Sequence, residues 1–178
     1  MMTNEDFQKR IGQLNDDFSL FTSKKKPANK QIIANYETEN GLSFSDDVKD
    51  FLLTFGALIL EVKESVWTRP REFDILPTWK FGYGFFVYGL SADEQMPSWL
   101  GYREKFLETM TTGDISLGQL FFKRSGNLYR AYTNSGRITI EYDKEGNDRS
   151  VYSGNFYDFL ISEVDALEKD YKEYIAEQ

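Results

Sequence analysis

The sequence predicts an α+β fold: a single domain whose antiparallel β-meander sheet is flanked by N-terminal helices and a long C-terminal helix. From Gln119 to Gly154 the chain contains four short β-rich runs, QLFFKR, LYRAYT, RITIEY and RSVYSG. The segments between them are rich in Gly, Asn, Asp and Ser, the residues that tight turns require. On both sides of this region, apolar residues recur at three- and four-residue steps, which is the spacing of a buried helix face. Helices, then a meander, then a further helix are typical of the α+β class.

The first predicted helix runs from Asn4 to about Leu20. Thr3 and Asp6 have the spacing of a capping box. The apolar face of this helix consists of Phe7, Ile11, Leu14 and Phe18. TSKKKPAN then breaks the pattern, and its three lysines are typical of a solvated basic linker. We therefore expect residues 1–26 to form a helix and linker, and residues 27–178 to form the core of one domain.

A second helix is predicted before Asn40-Gly41, which has the composition of a left-handed cap. Its apolar residues are Ile32, Ile33 and Tyr36. The next stretch, FSDDVKDFLLTFGALILEV, spans Phe44–Val62 and predicts a helix that passes directly into a strand. Ser45 is the predicted N-cap of this third helix. Its buried face consists of Val48, Phe51, Leu52 and Phe55, and the strand begins at Leu58.

The middle of the chain predicts less regular structure. Residues 64–84, ESVWTRPREFDILPTWKFGYG, contain two prolines and two glycines but are too aromatic for a disordered linker, so we expect an ordered loop packed on the sheet. FFVYGL predicts a strand from Phe85 to Leu90, and a short helix is expected from about Ser98 to Thr109. The long C-terminal helix has an apolar face made of Phe156, Phe159, Leu160, Val164, Leu167, Tyr171, Tyr174 and Ile175.

The composition restricts the functions that this chain can perform. It has 178 residues, a net charge of −8, no cysteine and no histidine. It therefore lacks the usual nucleophile–base pairs and zinc ligands, and we expect no enzyme activity, no metal and no cofactor. The negative charge disfavours nucleic acid as a partner and favours a basic one. No apolar run approaches the ~20 residues of a membrane span, and the start MMTNEDFQKR is not typical of a secretory signal, so we expect a cytoplasmic location.

The segment PANKQIIANYETENGLSFSDDVKDFLL, from Pro27 to Leu53, resembles the N-terminal signature of the SUKH superfamily. In that signature a helix ending in Glu and Gly precedes a Leu-Pro pair and an acidic, Tyr-Lys, Phe-Leu helix. The matching positions here are Ile32, Ile33, Tyr36, Glu37, Gly41, Leu42, Asp47, Val48, Lys49, Phe51 and Leu52. The family's C-terminal Phe-x-x-Phe-Leu motif is matched by Phe156, Phe159 and Leu160. Phe44-Ser45 replaces the Leu-Pro pair.

This resemblance implies a bacterial immunity protein, which protects its producer by binding and blocking a cognate toxin. Many of the toxins that such proteins bind are nucleases. Other branches of the superfamily include a fungal cell-wall regulator and viral proteins. The implied partner is therefore a protein toxin, expected to be basic. We expect the immunity protein itself to be a monomer or a weak dimer.

The predicted partner-binding residues combine aromatic side chains with acids around them. Trp and Tyr are enriched at interface hot spots because they offer large contact area at low entropic cost. Carboxylates around such a centre would suit the basic cleft of a nuclease. The predicted set is Glu61, Glu64, Trp67, Trp79, Tyr83, Asp93, Glu94 and Trp99, with Glu72 and Asp74 as further acids in the same region.

Several of these residues also fit a structural role or a different function. Packing of a long loop onto the sheet accounts for the aromatics equally well, and Asp46, Asp47 and Asp50 fit a helix N-terminus better than a contact surface. Asp143–Asn147 alternates oxygen ligands but lacks the spacing of a calcium loop, which favours a hairpin turn. A small-ligand or carbohydrate-binding module using residues 67–99 is the alternative function. A carboxylate-based glycosidase is less favoured because no spacing selects a catalytic pair.

Overall fold

The computed structural model describes residues 1–23, 27–68, 83–93, 95–100, 117–125, 129–142 and 147–178. Within these ranges lie four helices: α1 (Asn4–Ile11), α2 (Lys30–Asn40), α3 (Asp46–Thr54) and α4 (Phe156–Ala176). The strands are β1 (Phe18–Thr22), β2 (Leu58–Val62), β3 (Gly84–Val87), β4 (Gln119–Arg124), β5 (Arg130–Asn134), β6 (Arg137–Glu141) and β7 (Arg149–Tyr152). The strands form one sheet in sequence order, and each is antiparallel to the next. The predicted α+β class and its meander are confirmed.

One face of the sheet carries the helices and most of the aromatic core. Phe121 of β4 has its ring 5.1 Å from that of Phe156 and 5.4 Å from that of Phe159, both on α4. Phe51 of α3 lies 5.3 Å from Phe156, which joins the third helix to the same cluster. The predicted C-terminal helix and its buried stripe are confirmed as far as Tyr171, whereas Ile175 is 43% exposed.

The first helix is shorter than predicted, because part of the segment after Ile11 forms a β-strand that pairs with β2. α1 ends at Gly12, and Phe18–Thr22 instead pairs with β2 as an outer strand of the sheet. Phe18 still contacts the core, but from the strand, where its ring lies 5.0 Å from that of Tyr171. Helical spacing of the four apolar residues was therefore misleading, since pairing with a distant strand decides the conformation here. Phe7 is fully buried, so α1 belongs to the core.

The turns around α2 and α3 explain how three elements follow one another so closely. Gly41 ends α2 in the left-handed region, at φ 63°, as predicted. Gly56 has φ 72° and connects α3 to β2, a conformation that favours glycine. A Cβ there would also lie 2.8 Å from the Cβ of Ser23. Ile32 is 39% exposed, so it does not share the buried face of α2 as its spacing predicted.

Some predicted features fall partly or wholly outside the described residues. These are the basic linker at 24–26, most of the irregular region at 69–82, and the turn at 143–146. The helix expected from Ser98 to Thr109 is wrong at its start, because Ser98 forms a parallel bridge with Gly89, and Trp99 and Leu100 form a turn. Its remaining residues lie outside the described part.

Candidate protein-binding site

The described members of the predicted partner-binding set divide between the two ends of the sheet. Glu61, Glu64, Trp67 and Tyr83 lie where β2 ends and β3 begins, and the N–H of Val62 donates to the carbonyl of Tyr83 at 2.8 Å. Asp93 and Trp99 follow β3 and therefore lie at the opposite end. Trp79 and Glu94, together with Glu72 and Asp74, fall outside the described residues.

Trp67 forms the centre of the first group. The backbone N–H of Trp67 donates to the carbonyl of Lys63 at 3.0 Å, which closes a helical turn directly after β2. Its ring is stacked 4.1 Å from Tyr83, at an interplanar angle of 15°, and 4.5 Å from Tyr174 of α4, at 8°. All three side chains are partly buried. The sheet and the last helix therefore hold Trp67 in a fixed orientation.

Three acidic residues lie at the same end of the sheet as this stack. Glu64 is exposed in the turn that carries Trp67, and Glu61 is partly exposed on β2, opposite Ser19 of β1 and Gly84 of β3. Asp17 lies at the same end, since its carbonyl accepts a hydrogen bond from the N–H of Lys63 at 2.7 Å. We call these three acids, with Trp67, Tyr83 and Tyr174, the acid-rimmed stack.

Asp17 also holds the end of α4 in place. Its carboxylate accepts a hydrogen bond from the hydroxyl of Tyr171, and this bond is the main reason that the pKa of Tyr171 is raised. Neither Asp17 nor Tyr174 was among the predicted site residues. Helical spacing predicts only that Tyr174 lies on the apolar face of α4, and the sequence carries no signal that brings α4 to the turn after β2.

Trp99 is a core residue and not an accessible contact, contrary to its prediction. Its side chain is 2% exposed and stacks on Tyr36 at 5.6 Å and on Phe44 at 5.5 Å. Its indole N–H donates to the carbonyl of Leu120 at 2.7 Å, so its polar group is satisfied inside the protein. Burial of this ring depends on tertiary neighbours from α2 and from the loop before α3, which local sequence does not reveal.

Asp93 organises a turn. Its carboxylate accepts a hydrogen bond from the N–H of Gln95 at 3.0 Å, and its carbonyl accepts one from the N–H of Met96 at 3.1 Å. The side chain is partly exposed. Its distance from Trp67 along the sheet separates it from the acid-rimmed stack.

The acids of α3 join helices to one another. One carboxylate oxygen of Asp47 accepts a hydrogen bond from the N–H of Val48 at 3.0 Å, and the other from the N–H of Phe156 at 2.8 Å. Asp50 accepts hydrogen bonds from the hydroxyl of Tyr157 at 2.7 Å and from the side-chain amide of Asn4 at 2.6 Å. Burial, followed by the hydrogen bond to Asp50, raises the pKa of Tyr157. Asp47 and Asp50 therefore join α3 to α4 and α1, a role that their position in α3 did not predict.

Two buried carboxylates are committed to internal partners. Glu141 is 2% exposed, and its carboxylate accepts hydrogen bonds from Arg130 Nε at 2.6 Å and from Arg149 Nε at 2.9 Å. Glu163 is 7% exposed and accepts a hydrogen bond from the hydroxyl of Tyr129. Burial raises the pKa of Glu163, although Tyr129 and the charge of Arg124 partly oppose this effect. Both groups have the environment of structural residues.

A cavity of about 300 Å³ lies on the strands at the β7 end of the sheet. It is lined by Leu117, Asn134, Arg137, Thr139, Arg149, Ser150 and Val151. None of these residues belongs to the region 67–99 that the small-ligand alternative requires. Among the described residues, no group of three or more acids is arranged to hold a metal ion.

Comparison with protein-family models gave no match, and comparison with curated proteins gave none. In the described part of the chain, no helix has the length and hydropathy needed to cross a membrane.

Proposed function

We propose that this protein is a cytoplasmic, non-catalytic immunity protein that binds and blocks a cognate toxin, a basic protein of the nuclease type. The observation that carries the proposal is the acid-rimmed stack: an aromatic centre held between Tyr83 and Tyr174 of α4, with acidic residues at the same end of the sheet. The net charge of −8 and the resemblance to the SUKH superfamily support the same function.

Each part of the stack has a distinct role in binding. The edges of Trp67 and Tyr83 supply apolar contact area whose orientation is already fixed, so little side-chain entropy is lost on docking. Glu61 and Glu64 attract a basic surface and raise the association rate. The toxin is inhibited by occlusion, because these carboxylates occupy positions where its cationic cleft would otherwise hold phosphates. No bond is made or broken by the immunity protein.

The alternative, a small-ligand or carbohydrate module using residues 67–99, is less well supported. A sugar needs an accessible aromatic face, whereas both faces of Trp67 are covered by Tyr83 and Tyr174. Trp99 is enclosed in the core. The partly exposed edges of these rings and the acids at the same end of the sheet are better suited to a protein surface.

The first experiment is affinity capture of the tagged full chain from its source cells at low and raised salt. We expect a basic partner that is lost as the salt concentration rises and that is toxic when expressed alone but harmless when co-expressed with this protein. Absence of any such toxin, or a captured protein whose toxicity the chain does not suppress, contradicts the proposal.

Variants of the captured pair then test the site itself. We expect Glu64→Lys and Tyr83→Ala each to weaken toxin binding at least tenfold, about 1.4 kcal/mol. Glu39→Lys and Tyr142→Ala are matched controls, since Glu39 is an exposed acid on α2 and Tyr142 an exposed tyrosine that follows β6. Equal weakening by the controls would show that the acid-rimmed stack is not the docking surface.

A further inference from the structure

The outer edge of β1 is unusually apolar and accessible. Leu20 is 42% exposed and Phe21 is 49% exposed, one on each face of the strand. The strand FSLFT contains no charge and no proline, the features by which proteins usually protect an edge from pairing. Within the described residues β1 pairs only with β2, so its outer side has no strand beside it.

The hydrogen-bond alternation of the sheet identifies which backbone groups point outward. The N–H of Lys63 donates to the carbonyl of Asp17 at 2.7 Å, so Asp17 and Lys63 form a hydrogen-bonded pair. Hydrogen-bonded and non-hydrogen-bonded pairs alternate along antiparallel strands. The backbone groups of Phe18, Leu20 and Thr22 therefore face away from β2. The N–H of Phe18 bonds to the carbonyl of Asn15, which leaves the Phe18 carbonyl and both groups of Leu20 and Thr22 directed to the outside.

We propose that a second copy of this chain occupies this edge, with the two β1 strands antiparallel about a two-fold axis at Leu20. The outward groups then match: the two Leu20 residues exchange both hydrogen bonds, and each Thr22 N–H reaches the Phe18 carbonyl of the second copy. The side chains match as well, since Leu20 lies against Leu20 of the second copy and Phe21 beside its Ser19. Both exposed apolar side chains are covered.

The charges flanking β1 favour this antiparallel arrangement. In the sequence, Asp16-Asp17 precede the strand and Lys24-Lys25-Lys26 follow it after Ser23. Antiparallel pairing places the two Asp16-Asp17 pairs at opposite ends of the strand pair, whereas parallel pairing would bring these like charges together. A single strand pair buries less than the ~1,200 Å² of a standard stable interface. The dimer is therefore weak, and its population depends on protein concentration.

The opposite edge of the sheet supplies a matched control. The N–H of Tyr142 donates to the carbonyl of Asp148 at 2.9 Å, so by the same alternation the backbone of Val151 on β7 faces outward. Val151 is 53% exposed and shares its sheet face with Phe21. The same substitution can therefore be made at an exposed apolar residue on either edge, in β1 or at Val151 in β7. Only the residues of β1 lie in the proposed interface.

Sedimentation equilibrium of the full chain, from micromolar to millimolar concentration, tests the proposal. We expect the mass to rise from 20.8 kDa toward twice that value, and Phe21→Lys and Leu20→Pro to raise the dimer dissociation constant at least tenfold. Val151→Lys and Val151→Pro should leave it unchanged. Far-UV circular dichroism establishes whether each variant is folded. If Leu20→Pro is unfolded, the comparison of Phe21→Lys with Val151→Lys is sufficient to test the interface. A chain that remains monomeric, or equal effects at the two edges, overturns the proposal.

A single cysteine tests the register, because the chain has none of its own. Hydrogen-bonded antiparallel pairs have Cα atoms ~5.5 Å apart, a separation that a disulfide spans. Leu20→Cys should therefore cross-link to a dimer under mild oxidation, while Val151→Cys should not. Hydrogen exchange of the Leu20 and Thr22 amides should slow as protein concentration rises. Protection of these amides only when the toxin is added would assign the edge to the toxin and overturn the dimer.

Discussion

At the scale of single residues, aromatic side chains have different roles in the core and at the edge of the sheet. Phe51 is 1% exposed, and its ring lies 5.3 Å from both Phe55 and Phe156. Trp67 is also stacked between two rings but remains partly exposed at the edge of the sheet. Core aromatics stabilise the fold, whereas an aromatic with an accessible edge can also contact a partner.

This difference predicts separate effects of two truncations. Phe51→Ala should lower the free energy of unfolding by roughly 3–5 kcal/mol, because it leaves a cavity in the core. Trp67→Ala should cost less stability, since part of its ring is already in water, and should instead weaken toxin binding. Urea unfolding of both variants measures the first effect, and titration with the toxin the second. A similar loss of stability in both would contradict this division of roles.

At the scale of elements, α4 depends on α3 for its N-terminal cap. Asn155 and Asp158 form a capping box at the start of α4, and Asp47 of α3 adds a hydrogen bond to the Phe156 N–H. The free N–H groups at a helix start carry positive partial charge, so a carboxylate there is favourable. The bond also fixes the position of α3 relative to α4.

Asp47→Ala should therefore destabilise the protein by about 0.5–2 kcal/mol, the usual range for loss of a capping side chain. Asp46→Ala is the control, because Asp46 lies in the same first turn of α3 and its removal affects the dipole of α3 in the same way. Thermal unfolding of the two variants gives the difference. If both lowered the melting temperature equally, the bond from α3 to α4 would contribute nothing.

The elements that the sequence predicted well are those whose signals are local. Helix α2 ends at Gly41 and the β5–β6 hairpin turns at Ser135-Gly136, where composition alone determines the conformation. β1 was predicted as helix because its strand conformation depends on β2, forty residues away in the sequence. In the candidate site, Glu61, Glu64, Trp67 and Tyr83 lie at one end of the sheet, and their contact with a partner stays a prediction. The prediction for Trp99 is wrong, because its burial by Tyr36 and Phe44 is a tertiary effect.

At the scale of the whole molecule, stability depends on pH through groups with altered pKa. Burial raises the pKa of Glu163 above its usual 4.5, despite the Tyr129 hydrogen bond and the charge of Arg124, and Asp170 adds to the increase. A carboxyl whose pKa is raised on folding contributes stability that is present below its unfolded pKa. This stability is lost as the pH rises through the folded value.

Glu163→Gln should therefore stabilise the protein at neutral pH, and the gain should disappear as the pH falls toward 4.5. The Gln carbonyl can still accept the hydrogen bond from Tyr129, so the change removes only the charge and its titration. Urea unfolding across this pH range measures the effect. Glu173→Gln, at an exposed position on the same helix, should give no such pH-dependent difference, and a loss of stability in Glu163→Gln at neutral pH would contradict the assignment.

The cover that α4 gives the sheet also affects how the protein is made. A ribosome synthesises the seven described strands before α4, so the nascent sheet emerges with Phe121 and Phe122 lacking their partner Phe159. Apolar surface exposed during synthesis is prone to aggregation and chaperone binding. Folding is therefore completed only after α4 has been translated, and a chain truncated before Phe156 would lack a finished core.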